Sequence, residues 1–244
     1  MDSSAAPPEP VAPGSDSPVA RVVGTFVAPV RTFSSIAARP GWVLPLLLAT
    51  VLSVLATAVM LPRMNFEAAV REQIEARGET VSDERVERFV EAQKRFSGLV
   101  YVWGALAPTL ISLLLAGIFW LSFKAFGWDH TYKQSLGVTA HAYLPHCIAA
   151  ILLIVFIMRL ERFNPADLGD LVRSSPAFLV DRQANPVLHS LLQSLDVFSI
   201  WALVLLVIGY SIAAKISRGK AAAIVVSLWA LYVLGKAGFT ALFT

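Results

Sequence analysis

The sequence predicts an all-α fold: a polytopic membrane helix bundle with five transmembrane helices, an interfacial amino-terminal helix and helical outer loops. Three observations predict it. Hydrophobic residues make up 56% of the chain, charged residues only 15%, and the mean hydropathy is +0.65, the balance of a chain whose main contact is hydrocarbon. Five apolar stretches reach the ~20 residues that a helix needs to cross a ~30 Å hydrocarbon core. The remaining charges collect between those stretches, with the unopposed basic ones on alternate loops.

Met1 to Ala20 is expected to be a disordered cytoplasmic tail. Pro7, Pro8, Pro10, Pro13 and Pro18 stand among Ser, Ala and Gly, with only Asp2, Glu9 and Asp16 charged. The basic opening and apolar core of a signal peptide are missing from it. Residues 21–244 are expected to form the membrane domain. In Arg21 to Pro40, Pro29 suits the first position of a short helix and Pro40 bounds it. Val30, Phe33, Ile36 and Ala37 share one face of that helix, with Arg31, Ser34 and Ser35 opposite. Such a helix suits the headgroup layer, and the alternative is a polar linker.

The spans are read at residues 41–61, 99–126, 136–158, 196–214 and 221–243. The second is over-long and is expected to tilt or emerge. Trp42, Tyr101, Trp103, Trp120, Trp128 and Trp201 fall near its ends or those of its neighbours, where amphipathic rings prefer to lie. Loops on one side carry Arg21, Arg31 and Arg39, then Lys124 and Lys133, then Lys215, Arg218 and Lys220, opposed only by Asp129. The loops on the other side mix acids and bases. This places the amino terminus in the cytoplasm and the carboxy terminus outside.

The first outer loop reads as a helical hairpin. Phe66, Ala69, Val70 and Ile74 keep helical spacing up to Gly78, and Ser82 caps a second helix with Val81 and Val86 placed as a hydrophobic staple. Two readings stand: a cap that contacts a partner or lipid, or a pair of helices packed on their own bundle. In the second outer loop Asn164-Pro165 and Asn185-Pro186 each read as a cap followed by a first-turn proline, with a turn at Ser174-Ser175-Pro176. The helix after Pro186 is expected to run straight into the fourth span.

Candidate functional residues are the polar and helix-breaking groups at membrane depth. His141 and His146 are five residues apart, roughly 140° around a helix, so they do not form a one-face ligand pair. No His-Glu-x-x-His motif, phosphate-binding glycine loop or nucleophile elbow occurs. No metal site, cofactor or catalytic residue is therefore assigned, and the chain is not read as an enzyme. The lone Cys147, inside an apolar run, excludes an intrachain disulfide and reads as a small buried hydrophobe. Basic residues do not gather with aromatics in a polar domain, which argues against nucleic acid.

Pro108 and Pro145 lie near the midpoints of two antiparallel spans, each roughly 14–15 Å from its entry point by the helical rise. They are expected to free the carbonyls of Gly104 and His141, and facing kinks would open a small polar cavity or a hinge. The alternative is that neighbours such as Thr109 or Tyr143 absorb them. Asp196, at the outer mouth of the fourth span, and Lys236, roughly 10 Å inside the fifth, are expected to pair, directly or through water. Otherwise Lys236 snorkels to lipid phosphate.

Pro29-x-x-x-Phe33-x-x-Ile36, the central Leu144-Pro145, Ser194-Leu-Asp196-Val-Phe198-x-x-Trp201 and Lys215-x-Ser217-x-x-Lys220-Ala221 together resemble the Yip-domain (Ypt-interacting protein) family. The similarity runs from about Val22 to the end of the chain. It implies five spans and a cytoplasmic amino terminus, and it singles out Trp201. Eukaryotic members are implicated in vesicle traffic and small-GTPase binding. The tail here lacks their Asp-Leu-Tyr-Gly-Pro-type motif, which argues against a GTPase partner. Arg outnumbers Lys 14 to 6 and Ala is abundant, so a bacterial member in the cytoplasmic membrane is expected. The functional expectation is a non-enzymatic scaffold or adaptor that organises membrane proteins or lipids. The alternative is a small-solute or ion transporter using a cavity near Pro108 and Pro145.

Overall fold

The computed structural model describes residues 17–75 and 82–243. Its first helix, α1 (Pro18–Val27), starts where the Ser17 hydroxyl accepts the Ala20 N–H at 3.1 Å and proline takes the first helical position. Pro18 to Ala20 therefore belong to a helix rather than to the disordered tail expected for them. Ala28 turns the chain directly into α2 (Pro29–Ala38), again opened by a proline.

These two helices form a hairpin packed against the bundle, where a single short helix is expected. Phe33 and Ile36 of α2 are fully buried. They fit because the facing helices carry glycine at the contacts: a Cβ on Gly209 would lie 3.0 Å from the Phe33 ring, and one on Gly137 2.9 Å from Ile36. Phe26 of α1 meets Trp201 edge-on, with ring centroids 5.4 Å apart. The base of the hairpin is tied by Arg21, whose guanidinium donates to the Arg39 carbonyl at 2.8 Å. An amphipathic pattern reveals that a face is apolar; it does not say whether lipid or protein covers it.

The long helices follow. α3 (Val43–Met60) ends in a 3₁₀ turn, Leu61–Arg63. α4 (Phe66–Glu75) and α5 (Asp83–Arg95) make the outer hairpin, with Val70 and Val86 buried. The Gly78 terminator and the Val81 staple lie outside the described residues. α6 (Ser97–Ala125) has 29 residues, roughly 43 Å of helix by its rise. α7 (Tyr132–Ala142) opens with a capping box between Thr131 and Gln134, and α8 (Pro145–Met158) follows after Tyr143 and Leu144. Next come 3₁₀ turns at Pro165–Asp170 and Pro176–Leu179, then α9 (Pro186–Gln193), α10 (Val197–Ala213) and α11 (Arg218–Phe243). Each of the three Pro-led segments of the second outer loop starts at its proline.

By length and composition four segments can cross a membrane: Val43–Arg63, Ser97–Ala125, Tyr132–Met158 (α7 and α8 together) and Arg218–Leu242. A fifth is reached when α9 and α10 are taken as one span bent by 49°. The helix from Pro186 does not run straight into the fourth span. It stops at Gln193, and Asp196 starts a new helix at a different angle.

The core sits where α2, α6, α7 and α10 meet the first turns of α11 around Tyr210. α3 packs against both α6 and α8 and stands between them. The two long loops are tied by an isolated bridge of Met64 with Phe163, in which the Asn65 N–H donates to the Phe163 carbonyl at 2.8 Å. Two helices end in the left-handed Schellman pattern. After α6 the turn residue is Gly127 (φ 77°), and after α10 it is Lys215 (φ 53°).

Candidate functional site

Two polar sites are held inside the apolar bundle, one near the α6–α7 turn and one at the break between α9 and α10. The first is built on Tyr210, which is fully buried. Its hydroxyl lies 2.6 Å from Ser135 Oγ and 2.9 Å from Thr139 Oγ1, one turn apart on α7. Ser135 Oγ in turn donates to the Ala116 carbonyl of α6 at 2.7 Å. One donor order lets each hydroxyl spend its single hydrogen: Thr139 to Tyr210, Tyr210 to Ser135, Ser135 to the carbonyl. Phe123 stacks on the Tyr210 ring at 4.7 Å, and His130 closes the end of the stack edge-on at 5.6 Å.

His130 sits in the α6–α7 turn, where burial pushes its imidazole below the ordinary value. The Trp128 backbone and Asp129 oppose that only in part. Neither ring nitrogen has a hydrogen-bond partner in good geometry. Around this end the Trp120 indole donates to the His130 carbonyl at 3.0 Å, and Lys124 and Lys220 lie over the Trp120 and Trp128 rings.

The second site is the break between α9 and α10, where the helix ends on both sides have specific partners. Asp196 is the N-cap of α10: its Oδ1 accepts the Phe198 and Ser199 N–H groups, both at 3.0 Å. The Val197 N–H donates to the Ser174 carbonyl of the outer loop, also at 3.0 Å. At the end of α9, Lys236 reaches across from α11. Its Nζ donates to Gln193 Oε1 at 3.0 Å and to the Ser190 carbonyl at 3.4 Å. A carboxylate thus sits at the positive end of one helix and an ammonium at the negative end of the other.

Asp196 and Lys236, expected to pair directly or through water, each bond a helix end at this break. The expected snorkelling of Lys236 to phosphate gives way to protein partners in the same way.

The other candidate residues separate. Pro108 lies inside an unbroken α6. Pro145 opens α8, and the His141 carbonyl is not freed, because the Leu144 N–H donates to it at 3.1 Å. With α3 between α6 and α8, the two prolines do not form facing kinks. His141 is buried and its Nδ1–H donates to the Gly137 carbonyl at 2.9 Å, so it is a satisfied core histidine. His146 stacks on Tyr143 at 5.2 Å, and its buried Nδ1 lacks a partner. Trp201 supports the amino-terminal hairpin through Phe26. Among the described residues no three His, Cys, Asp or Glu side chains group as metal ligands.

Sequence reasoning missed Tyr210 and its partners. The available signal was Ser135 and Thr139 one turn apart in an otherwise apolar span, which implies a polar partner on a facing helix.

Residues 23–238 match the Yip1 domain family. No curated protein and no solved structure matches the chain. The bundle carries four to five helices apolar and long enough to cross a membrane, and the match extends from the amino-terminal hairpin to within a few residues of the end of α11. The chain belongs to the Yip1 domain family.

Proposed function

We propose that this protein is a non-enzymatic scaffold or adaptor that organises other membrane proteins or lipids. In this reading it makes five crossings of a bacterial cytoplasmic membrane, with its amino terminus in the cytoplasm and its carboxy terminus outside. The observation that carries the reading is that Tyr210, His141 and Lys236, polar groups inside the apolar helices, are bonded to other groups of the same chain. Polar groups that lined a transport route would be held for the solute, not spent on neighbouring carbonyls. The chain instead presents its surroundings with apolar side chains, as on α11 at Leu231, Leu234 and Leu242, and projects a helical hairpin from its outer end.

The test is affinity purification in mild detergent, comparing the intact protein with one whose residues 66–95 are replaced by a short flexible linker. A partner protein or lipid class that returns reproducibly with the intact chain supports the reading. Loss of that partner in the shortened chain assigns it to the hairpin. Recovery of the intact protein alone, with neither protein nor lipid enriched, counts against the scaffold.

One observation favours the transporter reading. Transporters build their sites at discontinuous helices, and here α9 and α10 are broken by 49° while His146 carries an unpartnered nitrogen at the start of α8. The break, however, is filled by Asp196, Ser174 and Lys236, which is why the scaffold is preferred.

A further inference from the structure

The second outer loop lines an open groove of about 610 Å³ whose walls include Asp167, Asp170, Arg173, Asp181, Arg182 and His189. That volume is in the range of small-ligand sites, but the walls are polar, so a polar ligand is required. Some of these charges are already committed. His189, almost wholly buried, meets Asp170 at 3.1 Å, and Arg182 faces Asp167 at 3.7 Å. Asp181 spends one oxygen, Oδ1, on the Gln183 and Ala184 N–H groups, which hold its carboxyl below the usual range. Arg173 is different: its guanidinium stands over the Phe178 ring, 6.0 Å from the centroid. A cation set against an aromatic face keeps donors for an anion.

The position of the groove narrows the ligand. Ser174, next to Arg173, accepts the N–H of Val197, the first residue of α10, so Arg173 lies level with the end of a membrane helix. Phe178 and Leu179, on the turn beside it, are exposed apolar side chains suited to the outer leaflet. Headgroups lie at that level. Charge narrows it further. Before His189 is counted, three aspartates against two arginines leave the groove one negative charge, 2 − 3 = −1. A plain anion gains little there, whereas a ligand with both signs can use both.

We propose that this groove binds the headgroup of an amine-bearing zwitterionic phospholipid, with Arg173 on the phosphate and the Asp181 carboxylate on the ammonium. The proposal rests on the membrane-scaffold reading and names a lipid for it. The groove adjoins α9 through His189, next to the Ser190 carbonyl that Lys236 holds, so an occupied groove would also steady the break.

The test is thermal unfolding of the full chain in detergent with added phosphatidylethanolamine, phosphatidylcholine, phosphatidylglycerol or soluble glycerophosphoethanolamine. Phosphatidylethanolamine should raise Tm by several degrees. Phosphatidylcholine, whose quaternary amine has no N–H to donate, should raise it less, and phosphatidylglycerol least. Arg173→Gln should abolish most of the shift, while Arg88→Gln on the outer hairpin keeps it. Native mass spectrometry of the unmodified protein, counting retained lipid of each class, covers the case in which the Arg173 variant does not fold. An equal or larger shift with phosphatidylglycerol, or an undiminished shift in Arg173→Gln, overturns the proposal. So does a soluble headgroup that matches the lipid, since the membrane source would then be wrong. These outcomes leave the partner purification above untouched, so the two readings fail separately.

Discussion

The Tyr210 ring lies among Phe119, Phe123 and Leu206, and its hydroxyl is satisfied by the Ser135 and Thr139 side chains, Ser135 in turn donating to the Ala116 carbonyl. Removing the Tyr210 hydroxyl leaves Thr139 without an acceptor and Ser135 without a donor. Tyr210→Phe should therefore cost about 1–2 kcal/mol in detergent unfolding, and Thr139→Val should cost less in that background than in the native chain. Lys215 makes the opposite case. It holds a left-handed conformation without being glycine, and Lys215→Gly should gain about 0.5–1 kcal/mol in the same assay. His130 adds a pH dependence of known sign. Its folded-state pKa is lowered by burial, so the unfolded chain takes up the proton first as pH falls below the ordinary value of 6.5. Stability from this group is whole above that pH and is lost as pH falls from there toward the lower folded value. Melting curves between pH 7 and pH 5 should show a smaller loss in His130→Phe than in the native protein.

Proline and cap patterns made most helix starts legible. Pro29 and Pro186 stand where the chain carries those signals, because caps depend on residues within one turn. The partners of charged side chains were not legible. Lys236 bonds residues 46 and 43 positions away, on a helix whose angle depends on the break before Asp196. That break was itself written locally, since an aspartate before Val-Phe-Ser is an N-cap. Its apolar surroundings disguised it as the continuation of a span. The double-mutant cycle of Lys236→Met and Gln193→Leu should give a coupling of about 0.5–2 kcal/mol. The cycle of Lys236→Met with Asp196→Asn should give less. A larger coupling to Asp196 would restore the direct pair and reject the helix-end assignment.

The order and apolar character of the long helices were legible because hydrocarbon thickness imposes a length that composition records directly. The amino-terminal hairpin was not, since burial of Phe33 and Ile36 depends on the distant glycines 209 and 137. Facing prolines were expected from chain connectivity, which does not reveal that α3 stands between α6 and α8. At this scale the proposed topology predicts that reporters fused to the two termini report opposite sides of the membrane. Signals from the same side would mean that α9 and α10 do not complete a crossing. The central claim is that the polar groups within the bundle hold its helices together and do not serve a passing solute. It is tested most directly by reconstituting the purified protein in liposomes and following ion and proton flux across an imposed gradient. The account predicts flux no greater than in protein-free liposomes. A protein-dependent flux that His146→Ala abolishes, with folding intact, would contradict it.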